Sequence, residues 1–237
     1  MGWSEGSFRK GRSNVKTLEL GNADPFGRGT HRACYRHPGD QDLCVKVMIE
    51  DWREADRRKR AHWLVRLCRP KWYFHENLLE FRFYHRVEKR VGEAAREFMP
   101  KCYEMVMTDH GEGMVVDLIC DHDGRVSQTL ADYLFHQGLT RECEEALDYF
   151  WEGLEKYRIF NRGRPDNVVV RQKADGGIAL VAIDGFGLSQ LVPIAEWISS
   201  RAKARLERWR EKQKRAISRA IELRAAGKRL TDKGVTR

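Results

Sequence analysis

The chain has 237 residues, 41% of them hydrophobic and 33% charged, and a net charge of +9. That is enough for one large domain or a small two-lobed one with a buried core, and no run of about 18 apolar residues is present to cross a membrane. The polar start, Met1 to Lys16, lacks the apolar centre of a signal peptide, and Gly6 stands where a myristoylation signal starting at Gly2 needs Ser or Thr.

The charge is unevenly spread. Residues 201–237 hold 14 Lys and Arg against four acids, a balance of +10, so the other 200 residues sum to −1. Such a basic tail either meets an anionic surface or is a solvated helix with no partner. A nucleic-acid partner ranks last, because no aromatic interleaving accompanies the cations. Six cysteines stand at 34, 44, 68, 102, 120 and 143 with no C-x-x-C pair, which argues against zinc. They read as buried, reduced thiols of a cytoplasmic protein.

In chain order, residues 1–16 read as disordered, being rich in Gly, Ser, Lys and Arg. Short apolar runs with β-branched content predict strands over Leu43–Ile49, Cys102–Met107 and Met114–Ile119. Between them Leu79, Phe83 and Val87 recur at helical spacing and predict a helix over Glu76–Val91. Helices are expected over Thr129–Phe135 and Arg141–Phe160, then a strand pair, Asn167–Val170 and Ile178–Ile183, joined by a turn at Ala174–Gly177. A long basic helix follows from about Pro193, with the stripe Ala202, Leu206, Trp209, Ile217 and Ile221 interrupted by Gln213. The narrow stripe predicts packing on the body rather than on a membrane.

Four separated pieces carry chemistry. Gly27-Arg-Gly29 is a G-x-G turn that lets backbone approach phosphate oxygens with N–H groups aimed at the anion. Arg32 takes the place of a third glycine and either meets phosphate or points to solvent. Lys46 lies inside the apolar strand LCVKVM, where a lysine is costly unless paired. Alternation puts it on the face opposite Val45 and Val47, as a lysine that holds phosphates requires. Glu80 on the Glu76–Val91 helix is the expected carboxylate partner, with Glu76 a rival one turn earlier. Asn167 and Asp184, 17 residues apart, enter from consecutive strands and can together offer oxygen ligands to magnesium.

This ordered set resembles the protein-kinase-like superfamily. More narrowly, the chain is similar to the bacterial YrbL family, described as PhoP regulatory network proteins. The carrying residues are Gly29 to Pro38 leading to Lys46, Glu80-x-x-x-Tyr84, Gly111–Asp121 (GEGMVVDLICD), Arg158-Ile159 before Arg164-Pro-Asp-Asn167, and Leu191–Trp197, so the likeness spans roughly residues 18–215. The resemblance implies an α+β, kinase-like two-lobed fold. An N-lobe over 17–119 would hold a small antiparallel sheet with one helix, and a reduced helical C-lobe would fill 120–237. It implies ATP and Mg2+ as cofactors. Gly27 and Gly29 would cover the phosphates, Lys46 paired to Glu80 would grip them, Asn167 and Asp184 would hold the metal, and Leu118, Ile119 and Cys120 would meet adenine.

Three departures qualify this. No A-P-E-like segment follows Asp184, and 53 residues remain after it. Counting back five from Asn167 reaches Arg162, where a kinase carries its catalytic aspartate, and a guanidinium cannot act as a base. Asp166, beside Asn167, is expected to face away from the site. Two readings follow: an atypical phosphotransferase on a small-molecule or lipopolysaccharide-type acceptor, or a pseudokinase that binds nucleotide and acts through a partner.

Overall fold

The computed structural model describes residues 17–29, 32–49, 76–186, 199–231 and 234–236. The expected disordered start, Cys68, the Leu191–Trp197 segment and the beginning of the long helix near Pro193 lie outside the described residues.

The fold is α+β. Strands β1 (Gly27–Arg28), β2 (Arg32–His37), β3 (Asp40–Met48), β4 (Cys102–Thr108) and β5 (Gly111–Asp117) form one antiparallel sheet in the order β1-β2-β3-β5-β4. Helix α1 spans Glu76–Val91 between β3 and β4, as its apolar spacing predicts, and a 3-10 helix follows over Gly92–Glu97.

Side-chain alternation divides the sheet residues between two cores. Ala33, Tyr35, Val45, Val47 and Val115 bury one face beneath Leu20. Cys44, Met114 and Val116 turn to the other face, where Phe83, Tyr84 and Val87 of α1 pack. Lys46 therefore points to the α1 side, away from Val45 and Val47. Gly113 is required where β5 crosses β3, because a Cβ there would lie 2.7 Å from Val45 Cγ1.

Beyond the sheet come β6 (Gln128–Thr129), α2 (Leu130–His136), α3 (Arg141–Lys156), β7 (Val168–Gln172), β8 (Ile178–Ala182) and α4 (Ser199–Ala225), then the hairpin β9 (Arg229–Thr231) and β10 (Gly234–Thr236). Strands β6, β7 and β8 form a second antiparallel sheet. The Thr129 hydroxyl caps α2 by accepting from Asp132 N, and Thr140 caps α3 through Cys143 N.

Helix α3 ends earlier than its apolar run suggests. Arg158 adopts φ +46 and Ile159 N donates to Leu154 O at 2.9 Å, so the chain folds back and buries Ile159 and Phe160 beside the helix. The terminal hairpin was not anticipated from the basic tail. Its Leu230 packs on the main core, and Arg229 reaches Asp132 at 2.6 Å.

Helix α4 lays Ala202, Leu206, Ile217 and Ala220 into the main core, with Trp209 packed against it, whereas Ile221 is exposed. The apparent break in its stripe, Gln213, is itself buried: its Oε1 accepts from Trp151 Nε1 at 2.6 Å and its Nε2 donates to Gly163 O at 2.5 Å. A polar side chain can occupy the core there because both its ends are satisfied. Gln213→Leu keeps the size and strands both partners. It is expected to cost about 2 kcal/mol in urea unfolding followed by tryptophan fluorescence, and a loss below about 0.5 kcal/mol would remove this link from the fold's support.

Candidate functional site

Between the two sheets lies a cleft of about 780 Å3, within the range of small-molecule sites. Gly27, Gly29, Lys46, Leu118, Ile119, Asn167 and Asp184 all line it. Residues from five separate stretches of sequence thus converge on one cavity. Cys120 is not among the lining residues; it bridges to Val126 just beyond. Leu118 N donates to Asp42 O at 2.7 Å and Ile119 O accepts from Ser127 N at 3.0 Å, which anchors this connecting segment to both sides of the cleft.

Lys46 projects from β3 into the interior, 3.3 Å from Glu80 Oε1, and its ammonium also donates to the carbonyl of Ile183. Burial works against its charge, but the Glu80 carboxylate, aided by Asp184, outweighs that penalty and the opposing Arg32, so the lysine is held above its ordinary range. With a raised pKa, the stabilisation it contributes is complete below the unfolded value of 10.5 and is lost only as pH climbs through the higher folded value.

Arg32 does what neither sequence alternative proposed. It is buried, and its Nη2 lies 2.7 Å from Glu80 Oε2 while also pairing with Asp184 Oδ1. Its Nη1 donates to Asn77 Oδ1 at 3.4 Å, and Asn77 Nδ2 in turn donates to Lys46 O at 3.2 Å. Glu80 therefore serves two cations, one on β2 and one on β3. Asn77 was missed by sequence reasoning; its only signal was a polar residue on the helix face shared with Glu80.

The glycine turn also differs from expectation. Gly29 N donates to Arg32 O at 2.9 Å, closing the turn rather than standing open for an anion. Yet nothing in the packing demands glycine at either position. A Cβ would meet Cys34 Cβ at 3.8 Å from Gly27 and Arg32 O at 3.7 Å from Gly29, both ordinary contacts. The absent side chains leave that edge of the cleft open.

On the opposite wall, Ile183 N donates to Asn167 O at 2.8 Å, which places Asn167 beside Asp184. Gly185 has φ +79, and a Cβ on it would sit 3.0 Å from Asn167 Nδ2, so the glycine both permits the turn and leaves room for the amide. Phe186 stacks on Phe83 and Tyr84 of α1 with ring centroids 5.7 and 4.9 Å away, holding the turn against the helix. Asn161, fully buried, donates to Asp184 O at 2.7 Å and accepts from Gly163 N at 2.7 Å. Gly163, at φ +61, would drive a Cβ to 2.5 Å from Trp151. Asn161 too escaped the sequence reading, since it precedes the position that drew attention.

That position, Arg162, is exposed and does not line the cleft. Asp166 does line it, contrary to the expectation that it faces away, and its carboxylate accepts from Arg164 at 3.1 and 2.8 Å. The tight turn that closes Asn167 N onto Arg164 O bends the chain, so simple alternation of an extended strand does not apply. Cys34 and Cys44 also line the cleft, but burial pushes both thiols up, Cys44 to about 12, which leaves them protonated and poor nucleophiles.

As a metal site, the pair Asn167 and Asp184 offers one amide and one carboxylate facing a common space. That suits magnesium, which takes one or two protein oxygens and completes its shell from phosphates and water. The Asp184 carboxylate also pairs with Arg32 through Oδ1, so a metal there would share the carboxylate with that guanidinium.

Comparison with known proteins bears on the same residues. The model of the family "PhoP regulatory network protein YrbL" matches residues 18–217, a span that contains every residue discussed at the cleft except Arg229 and Leu230 of the terminal hairpin. The chain belongs to the YrbL family. Among YrbL relatives, the uncharacterized protein YrbL of Escherichia coli K12 is 27% identical over 185 residues, covering 76% of this chain and 78% of the relative. The YrbL protein of Shigella flexneri matches to the same extent.

Because Glu80 neutralises two buried cations, its loss leaves both without that partner, whereas loss of Lys46 leaves Glu80 with Arg32. Glu80→Ala is therefore expected to cost about 3–5 kcal/mol in urea unfolding, and Lys46→Met distinctly less. The reverse order would show that Glu80 is not the shared anion.

Proposed function

We propose that this YrbL-family chain is a kinase-like nucleotide-binding protein whose cleft takes ATP. The observation that carries the reading is the buried Lys46, 3.3 Å from Glu80, which lines one cavity with Gly27, Gly29, Asn167 and Asp184. A lysine held protonated by a carboxylate at the back of a cleft is a fixed positive charge suited to phosphate oxygens. The open edge at Gly27 and Gly29 leaves space for phosphates, and the apolar floor around Val116, Leu118 and Val169 suits a flat heterocycle. Asn167 and Asp184 are the residues that would hold magnesium, whose chemistry is to neutralise charge on the phosphates.

Within this reading the protein acts chiefly by binding. The residue at the base position, Arg162, lies outside the cleft, and the family's description places its members in a regulatory network. A second reading, an atypical phosphotransferase on a small-molecule or lipopolysaccharide-type acceptor, is favoured by one observation: an acidic residue, Asp166, lines the cleft beside Asn167. Phosphoryl transfer depends mainly on positioning and charge stabilisation, so a weak base slows the reaction without forbidding it.

Thermal-shift titration with ATP tests the first reading. Wild type is expected to be stabilised by about 2–4 °C or more at saturating nucleotide, and Lys46→Ala to lose at least most of that shift. An unchanged shift in Lys46→Ala would remove the premise. Phosphate release that is present in wild type and absent in Asp166→Asn, with the ATP-induced shift retained, would establish the second reading over the first.

A further inference from the structure

The cleft makes no use of the charge on α4, none of whose residues lines it. On that helix Arg201, Arg205, Arg208, Lys212, Arg215 and Arg219 follow one another at alternating steps of four and three residues. At about 3.6 residues per turn, this spacing keeps them on one line about 27 Å long. Arg205 is half-buried and the other five are exposed. Each is followed in sequence by a buried or half-buried residue, from Ala202 to Ala220, so the line runs down the flank of α4 beside its seam with the core. The ion pairs of α4 fall mostly elsewhere. Lys203 meets Glu155, Arg210 meets Asp148 and Lys214 meets Glu211, all off the line, and on it Arg219 meets Glu222 at 3.0 Å. Like charges three and four residues apart repel and work against the helix that carries them. Burial and the adjacent Arg208 both push the Arg205 guanidinium down, and its buried Nε has no hydrogen-bond partner among the described residues.

We infer that this flank of α4 is a binding surface for the phosphate backbone of a nucleic acid, held without reading its bases. The line is long, straight and one residue wide, which matches a polymer with a negative charge on every unit rather than a compact ion. A strand laid along it relieves the repulsion between all neighbouring cations at once. Five of the six are arginines, whose planar fork takes phosphate oxygens in pairs. A flat lipid surface fits less well. The exposed acids Glu207 and Glu211 stand on the sector turned away from the core, where such a surface would first touch, and Ile221, the exposed large apolar residue of α4, lies on another line. Interleaved aromatics, whose absence ranks nucleic acid last on sequence alone, serve base stacking; phosphate contact needs only the cations. Arg162 finds a place here as well. It is exposed and precedes Gly163, whose carbonyl Gln213 holds at 2.5 Å, so a further cation stands close to the middle of α4. The surface is separate from the cleft and does not depend on the nucleotide reading.

The test is fluorescence anisotropy of a labelled oligothymidylate of about 20 nucleotides, titrated with the full chain from low to physiological salt. Wild-type affinity is expected to fall with a log–log slope of about −3.5, the release of counterions from about five phosphates. Arg208→Gln combined with Lys212→Gln is expected to bind about tenfold more weakly at low salt and to flatten the slope to about −2. Lys203→Gln combined with Lys214→Gln removes the same charge from the same helix, off the line, and is expected to stay within about twofold of wild type. All four positions are exposed, so both variants keep the fold. Equal losses in the two variants overturn the inference, because net charge and not the line would then hold the oligonucleotide. So does an affinity that differs by more than about tenfold between oligothymidylate and a mixed sequence, which would mean that bases are read. Two further results also overturn it. Phosphatidylserine vesicles that bind wild type but not the Arg208→Gln, Lys212→Gln variant, with no binding of the oligonucleotide, assign the line to a membrane. Polyglutamate that displaces the oligonucleotide at equal charge concentration assigns it to an acidic protein.

Discussion

A carboxylate in the protein interior is tolerable only when positive charge and hydrogen bonds surround it. Glu80 meets that condition by accepting from Lys46 on β3 and Arg32 on β2 at once. The consequence is geometric as much as energetic. One residue of α1 ties the helix to two adjacent strands, and both cations reach onward, Lys46 to the Ile183 carbonyl and Arg32 to the Asp184 carboxylate. The five-stranded sheet, the helix packed on it and the turn after β8 are therefore linked by a single cluster, buried at Glu80, Lys46 and Arg32 and part-exposed at Asp184. Asn77 completes it by linking Arg32 to the backbone of β3.

The opposite wall of the cleft is fixed by a second, uncharged network. Gln213 of α4 joins Trp151 of α3 to the Gly163 carbonyl, Gly163 donates to Asn161, and Asn161 donates to the Asp184 carbonyl. These bonds run from the outermost helix to the edge of the cleft. They give the long basic helix a structural role in the site. Two of the four helices among the described residues thus act on Asp184 without touching the cavity. The same aspartate is the meeting point of the charged and the neutral network, which is why its surroundings decide what the cleft can hold.

Lys46 was legible because its strand neighbours are apolar and their alternation fixes its face; Glu80 was legible because helical spacing places it toward that strand. Asn167 and Asp184 were recognisable from apolar strands, one at the start of its strand and the other just past the end of the next. Other residues carried no such pattern. Arg32 opens β2 directly after a glycine turn, where no strand period precedes it, and only the fold of β2 against α1 reveals that it is buried. Asn161 and Gln213 are polar residues within apolar surroundings, and sequence periodicity counts these as interruptions. Asp166 was misplaced because alternation was applied to a segment that is a turn.

Local rules thus determined several elements and the residues whose side chains those elements aim: three of the five strands of the sheet, helix α1 with its exact bounds, the lysine and its carboxylate. These follow from periodicity, which is a property of neighbouring residues. The tertiary structure decided which charges compensate one another. Arg32 and Asp184 are 152 residues apart, and their pairing depends on two frames folding to within a hydrogen bond of each other. Sequence can state that a cluster of this kind needs its charges balanced, but only the assembled fold determines that an arginine of the chain itself, set beside Glu80, supplies the balancing charge.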